Sequence, residues 1–117
     1  MRQKYGNAGL GTIVNAETFL FNGLEHTAAQ KWASDLTASP ILTTKLTNDA
    51  YSALPCAYLV LEDDLTLPKE YQEGMVNTQN QKSGNFTVYR CQSGHSPHLT
   101  WTSGVVDILQ DFVNKIA

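Results

Sequence analysis

Between Pro55 and the acidic triplet Glu62-Asp63-Asp64 the chain runs Cys56-Ala57-Tyr58-Leu59-Val60-Leu61 with no strongly polar interruption. A half-solvated strand alternates apolar and polar residues, whereas a strand covered by helices on both faces does not. The run predicts a strand of a parallel sheet, buried on both faces. It is also the longest apolar run, far short of the roughly 20 residues a membrane crossing requires. Pro68 is placed to open a helix reaching about Gln79, with Glu70 in its first turn and Tyr71 and Met75 one turn apart. After the turn-prone residues Asn80 to Asn85, Phe86-Thr87-Val88-Tyr89-Arg90-Cys91 has the β-branched and aromatic content of a second strand. Val105, Val106, Ile108, Leu109, Phe112, Val113 and Ile116 then form an apolar stripe opposite Asp107, Gln110, Asp111, Asn114 and Lys115, which predicts a closing amphipathic helix. Strand, helix, strand, helix with a right-handed crossover makes the two strands parallel, so residues 55–117 read as a βαβα unit of an α/β fold.

Residues 1–54 have a different texture. The first fifteen hold three of the eight glycines and no sustained period, as an irregular lead-in or extended segment would. Ala28, Ala29, Trp32, Ala33 and Leu36 recur at three and four residues and predict a helix over His26 to Leu36, with Thr27 and Gln30 as a capping box. A loop at Ser39-Pro40 follows, then a threonine-rich stretch with a short helix expected at Asn48 to Ala53.

Composition removes several function classes. With 117 residues the chain holds one domain at most, and 42% hydrophobic against 16% charged residues is too apolar for a disordered tail. A net charge of -3 provides no basic excess to grip phosphates, so nucleic acid is not an expected partner, nor is a membrane. Met1 to Gly11 is polar and glycine-rich rather than a basic start followed by an apolar core, and a cytoplasmic location is expected. Cys56 and Cys91 are too few and too far apart for a zinc cluster and are expected as reduced, buried strand thiols. Asn85-Phe86-Thr87 fits a glycosylation pattern but falls by a strand expected to be buried, and is read as chance. His26, His95 and His98 lack metal-ligand spacing, so no metal is expected, and no cofactor motif occurs.

In open parallel sheets ligands bind beyond the C-terminal ends of the strands. After the first strand come Glu62, Asp63 and Asp64; after the second come Ser93, Gly94, His95, Ser96 and Pro97. An acid and a histidine therefore emerge on one sheet edge, as suits a carboxylate that fixes an imidazole's tautomer. Gly94 lets the chain turn sharply before His95, and Pro97 stiffens the loop after it. Topology alone leaves the alternative that these are ordinary loop residues.

The stretch from Pro55 through Glu62-Asp63-Asp64 to Pro68 and Gln72, followed by Gly94-His95-Ser96-Pro97, resembles the C-terminal part of α/β-hydrolase-fold proteins. The nearest resemblance is to fungal and bacterial relatives of plant methylesterases and hydroxynitrile lyases, and it covers roughly Gly11 to Ala117. It implies that residues 1–54 are a lead-in and helical cap remnant, with Phe19 to Thr47 as the cap's end, and that 55–117 are the C-terminal portion of the hydrolase core. In the family's register, counted back from Pro68, the catalytic acid falls on Asp64 rather than Asp63, and the catalytic histidine on His95. Phe19, Phe21 and Trp32 become candidate walls of an apolar substrate pocket.

One part of the family pattern is missing. The fold needs a serine on a strained strand-to-helix elbow and oxyanion donors after an earlier strand. Gly9-Leu10-Gly11-Thr12 has no predicted strand before it and no helix pattern after it, and Ser96 directly follows the histidine it would have to serve. The expectation is a chain with the acid and the base but no nucleophile. It hydrolyses a small ester or related carbonyl compound only if an N-terminal complementing half is supplied. The alternatives are a non-catalytic remnant, or a small α/β binding domain, acting through a partner or as a homodimer across an exposed strand edge.

Overall fold

Backbone pairing divides the described residues of the computed structural model, 2–5, 9–82 and 84–117, into two small sheets linked by helices. β1 (Arg2–Tyr5) runs antiparallel to β2 (Leu10–Val14), whose other edge takes the short β3 (Ser39–Pro40). Of the two alternatives for the lead-in, Arg2–Tyr5 and Leu10–Val14 take the extended one and pair with each other, and a strand does precede Gly9 to Thr12. Strands this short carry too few residues for a period, and their order comes from mutual backbone bonds. Thr12 lies inside β2, not on an elbow between strand and helix.

α1 (Ala16–Phe19) and α2 (His26–Ser34) follow. Ala16, Leu20, Phe21 and Ala29 form the buried cluster of this half, with Ile13, Leu24, Ala33 and Leu99 packed against it. Leu99 belongs to the C-terminal half, so the two halves share this core. The cap of α2 is Glu25 and not the Thr27–Gln30 box: the Glu25 carboxylate accepts from Thr27 N at 3.0 Å and Ala28 N at 3.3 Å. A glutamate in extended conformation just outside the helix reaches the orphan N–H groups that Thr27, already inside the helix, does not. The bond from Thr27 N holds the Glu25 carboxyl below its ordinary value.

After α3 (Ala50–Ala53) comes the predicted βαβα unit, built from β4 (Ala57–Leu61), α4 (Lys69–Lys82), β5 (Thr87–Cys91), α5 (Pro97–Thr100) and α6 (Thr102–Ile116). β4 and β5 are parallel, pairing Ala57 with Thr87 through to Leu61 with Cys91. Pro97 opens α5, and the Trp101 indole packs so closely over Gly104 that a Cβ there would fall inside the ring.

The burial expected for β4 is not met. Val60 is fully buried, but the rest of the strand is half-buried, because the sheet has two strands and covers only part of each face. Both cysteines are free and half-buried rather than buried, for the same reason, and Asn85 is exposed in the loop ahead of β5. On α6 the side chains Val106, Leu109, Val113 and Ile116 are 46% to 58% exposed. The accessible surface is 8403 Å², against about 6,300 Å² for a compact monomer of this mass. The radius of gyration is 16.1 Å, against about 13 Å for a compact chain of this length. Among the described residues no helix is long and apolar enough to cross a membrane.

One side chain of α4 closes the end of β4. Thr87 N donates to Cys56 O and Glu62 N to Cys91 O, so the peptide groups of Cys56, Tyr58, Val60 and Glu62 face β5, and those of Ala57, Leu59 and Leu61 face the opposite edge. Gln72, only 1% exposed, accepts from Leu61 N at 2.9 Å and donates to Leu61 O at 2.9 Å and Leu67 O at 2.7 Å. Leu61 is thereby satisfied on an edge that has no neighbouring strand among the described residues.

Gln72→Leu removes all three of these bonds inside a buried site and should destabilise the chain by about 3 kcal/mol in urea unfolding. A loss under about 0.5 kcal/mol would show that water replaces the carboxamide freely. Glu25 makes the second case. Its folded carboxyl titrates below its unfolded value, so its contribution is present above the ordinary carboxylate range and is lost as pH falls through the lowered folded value. Glu25→Gln should lower the melting temperature at neutral pH, and the gap to the parent should close in acid; a gap independent of pH would remove the carboxylate from the account.

Candidate active site

β4 and β5 deliver two loops to one edge. Backbone bonds continue past the strands, with Asp63 N donating to Ser93 O at 3.2 Å, so the acid turn and the histidine turn leave the sheet in register. The Asp64 side chain is 2% exposed while Asp63 is exposed, because the turn after Leu61 sends successive side chains in different directions. Asp64 Oδ1 accepts from Thr66 N at 2.7 Å and Leu67 N at 3.0 Å, an arrangement that locks the carboxylate to its own turn. Its other oxygen, Oδ2, lies 2.8 Å from His95 Nδ1.

The structure therefore brings together Asp64 and His95, and leaves Asp63 pointing elsewhere. With an ionised Asp64, the contact selects the tautomer protonated at Nδ1 and leaves Nε2 with its lone pair. No bond from the described residues reaches Nε2. The imidazole side chain is 36% exposed, open enough to meet a reacting group.

Beside His95 lies an open groove of about 590 Å³, walled by Leu20, Phe21, Trp32 and Leu99, with Asp35 and His98 as polar residues at its lining. Two of the three candidate pocket residues, Phe21 and Trp32, are among these walls. Phe19 is not: its carbonyl accepts from Thr66 Oγ1 at 2.6 Å, which ties α1 to the acid turn. A larger cavity of about 670 Å³, lined by Tyr51, Tyr58, Tyr71, Met75 and Phe86 among others, sits against β4 and α4 and shares no residue with the groove at His95.

Other site residues were hidden from sequence reasoning. Ser96 is buried, and its hydroxyl donates to Leu20 O at 2.6 Å, so it anchors the histidine loop to the α1–α2 segment and does not face the imidazole. Ser93 and Thr100 share a hydroxyl pair at 2.7 Å beneath the same loop. Asn22 bonds both loops, donating to Asp63 O at 2.8 Å and accepting from His95 N at 3.4 Å. Partners 41 and 73 residues apart leave no periodic trace, so no local signal could have named it. Gly94 also has another reason than sharp turning: its φ is not positive, and a Cβ there would fall on the Asn22 carboxamide. Among the described residues no group of three or more His, Cys, Asp or Glu is placed to hold a metal.

The chain is 35% identical over 94 residues to the alpha/beta hydrolase nvfD of Aspergillus novofumigatus (strain IBT 16806). That match covers 79% of this chain and 36% of the relative, so the chain spans little more than a third of the protein it matches. No family model matches the chain. No solved structure matches it.

The two neighbouring acids should separate cleanly in stability measurements. Asp64→Ala strands two turn N–H groups and the ring N–H and should cost about 2–4 kcal/mol, whereas Asp63→Ala should stay within about 0.5 kcal/mol. Equal losses from the two would contradict the buried, bonded placement of Asp64 alone.

Proposed function

We propose that this chain, a C-terminal portion of the α/β-hydrolase fold and a member of that superfamily, supplies the acid and the base of an ester-hydrolysing centre whose nucleophile comes from the N-terminal part of such a fold. The observation that carries this reading is the 2.8 Å contact between Asp64 Oδ2 and His95 Nδ1, with Asp64 already locked by two backbone N–H groups. That geometry suits a base whose orientation is fixed before substrate arrives.

In the complemented centre, His95 Nε2 takes the proton of a serine hydroxyl as its oxygen attacks the ester carbonyl. Asp64 stabilises the imidazolium, which returns the proton to the departing alcohol. A water molecule, deprotonated by the same nitrogen, then attacks the acyl-enzyme, and the imidazolium returns that proton to the departing serine oxygen, which releases the acid and the free serine. Phe21, Trp32 and Leu99 would hold the apolar part of a small ester. The Asp64-to-Pro68 turn and the Gly94-His95-Ser96-Pro97 loop support a finer kinship with methylesterases and hydroxynitrile lyases. Cleavage of a carbonyl adduct is the corresponding alternative chemistry.

The same reading names a partner surface. Ala57 and Leu59 turn their peptide groups toward an edge of β4 with no strand beside it among the described residues, and the apolar side of α6 is half-exposed. The surface in excess of a compact monomer, about 2,100 Å², exceeds what one partner buries in a standard interface and is nearer to an obligate one. A strand of the hydrolase fold's N-terminal part, laid along β4, is the occupant this favours over a second copy, because it also brings the missing serine.

Purified alone, the chain should turn over an activated ester no faster than its His95→Ala variant, since on this reading the nucleophile and the oxyanion donors, worth about 10²–10³-fold each, come from the other portion of the fold. With an N-terminal hydrolase portion bearing the elbow serine supplied in trans, turnover should appear, and Asp64→Asn should reduce it by about 10⁴-fold. Asp63→Asn should leave it within a few-fold. Turnover by the isolated chain that vanishes in His95→Ala would overturn the need for a second half.

A further inference from the structure

We propose that Asn22 is a positioning residue for the Asp64–His95 pair, a clasp that fixes the acid turn against the histidine turn; the inference rests on the reading of that pair given above. Its Nδ2 donates to Asp63 O at 2.8 Å, the carbonyl of the peptide that leads into Asp64. Its Oδ1 accepts from the backbone N of His95 at 3.4 Å. It thus bonds both loops, and it does so at the backbone of the two functional residues' own peptides.

The chemistry of the contact selects a carboxamide. One partner is a carbonyl and the other an N–H, so the clasp needs a donor and an acceptor on one short planar group. An aspartate supplies no donor, and an aliphatic side chain supplies neither. The same requirement fixes which way the amide points, since a flipped Asn22 would set oxygen against oxygen and N–H against N–H. Room for it comes from Gly94, where any Cβ would collide with the carboxamide. Immediately after Asn22, Gly23 adopts a φ of 93°, turning the chain away toward the cap of α2.

Neighbouring bonds make the clasp separable from the fold. Phe19 O is held by Thr66 and Leu20 O by Ser96, both at 2.6 Å, so the segment stays docked when the Asn22 side chain is removed. What the side chain adds is the spacing between the Asp63–Asp64 peptide and the His95 backbone, and with it the distance from Oδ2 to Nδ1.

The test reads the ring, not turnover. In the full chain labelled with ¹⁵N-histidine, imidazole shifts at a pH where the rings are neutral should show His95 almost wholly in the Nδ1–H tautomer, assigned by loss of the signal in His95→Ala. Asn22→Ala should raise its Nε2–H population about tenfold. Gly94→Ala, which displaces the clasp, should do the same, and the double variant should be no worse than either single one. If Asn22→Ala fails to fold, the near-isosteric Asn22→Asp, which keeps the acceptor and loses the donor, replaces it with the same expected shift. A parent ring with the Nδ1–H bond and an unchanged ring in the Asn22 variant overturn this proposal alone. A parent ring without that bond overturns the Asp64–His95 reading and the clasp with it.

Discussion

The parallel pairing of β4 with β5 is the constraint from which the rest of the C-terminal half follows. Because the ladder runs unbroken from Thr87 N on Cys56 O to Glu62 N on Cys91 O, the two strands end level with each other. Two loops of unrelated sequence are thereby delivered side by side, and Asp63 N on Ser93 O extends the match into the turns. This register brings the Asp64 turn and the His95 turn within reach of each other before any side chain contributes. A shift of one residue in the pairing would send Val60 to the outer face and Asp64 away from His95.

The segment before α2 supplies the second constraint. Phe19 O, Leu20 O and the Asn22 side chain each bond a loop of the C-terminal half, and Leu99 packs into the cluster of Ala16, Leu20, Phe21 and Ala29. All these bonds fall on the acid turn or the histidine loop, so the first half of the chain acts on the site as a brace. The groove at His95 has one wall from each half for that reason: Phe21 and Trp32 from the first, Leu99 from the second.

The βαβα unit was legible because its signals are strong and local: an apolar run closed by Pro55 and three acids, a proline at a helix start, a 3.6-residue stripe on α6. The acid and the histidine were legible as loop residues at strand ends, and the family's register to Pro68 distinguished Asp64 from Asp63, which the backbone alone left open. Three things were not legible. The β1–β2 pairing rests on backbone bonds that short, glycine-bearing strands do not advertise in their side chains. Glu25 does not stand out as a cap in the sequence, because a glutamate there competes with the commoner Thr signal beside it. Asn22 and Ser96 act through contacts with residues far along the chain, and a single sequence records no such distance.

β4 is less buried than its apolar sequence predicts. A continuous apolar strand implies helices on both faces and strands on both edges. Here one edge has β5, and at the other, among the described residues, no strand pairs and Gln72 holds Leu61. The cap has a geometric consequence. A strand laid along β4 would pair with Ala57 and Leu59 and stop short of Leu61, since Gln72 already holds both of that residue's peptide groups. Its own C-terminal end would then emerge one residue below the acid turn, on the edge of the sheet where Asp64 and His95 stand. In a parallel sheet that end is where a strand hands over to the loop that carries chemistry. Among the described residues the edge without a neighbouring strand and the oriented imidazole thus belong to the same two-stranded sheet.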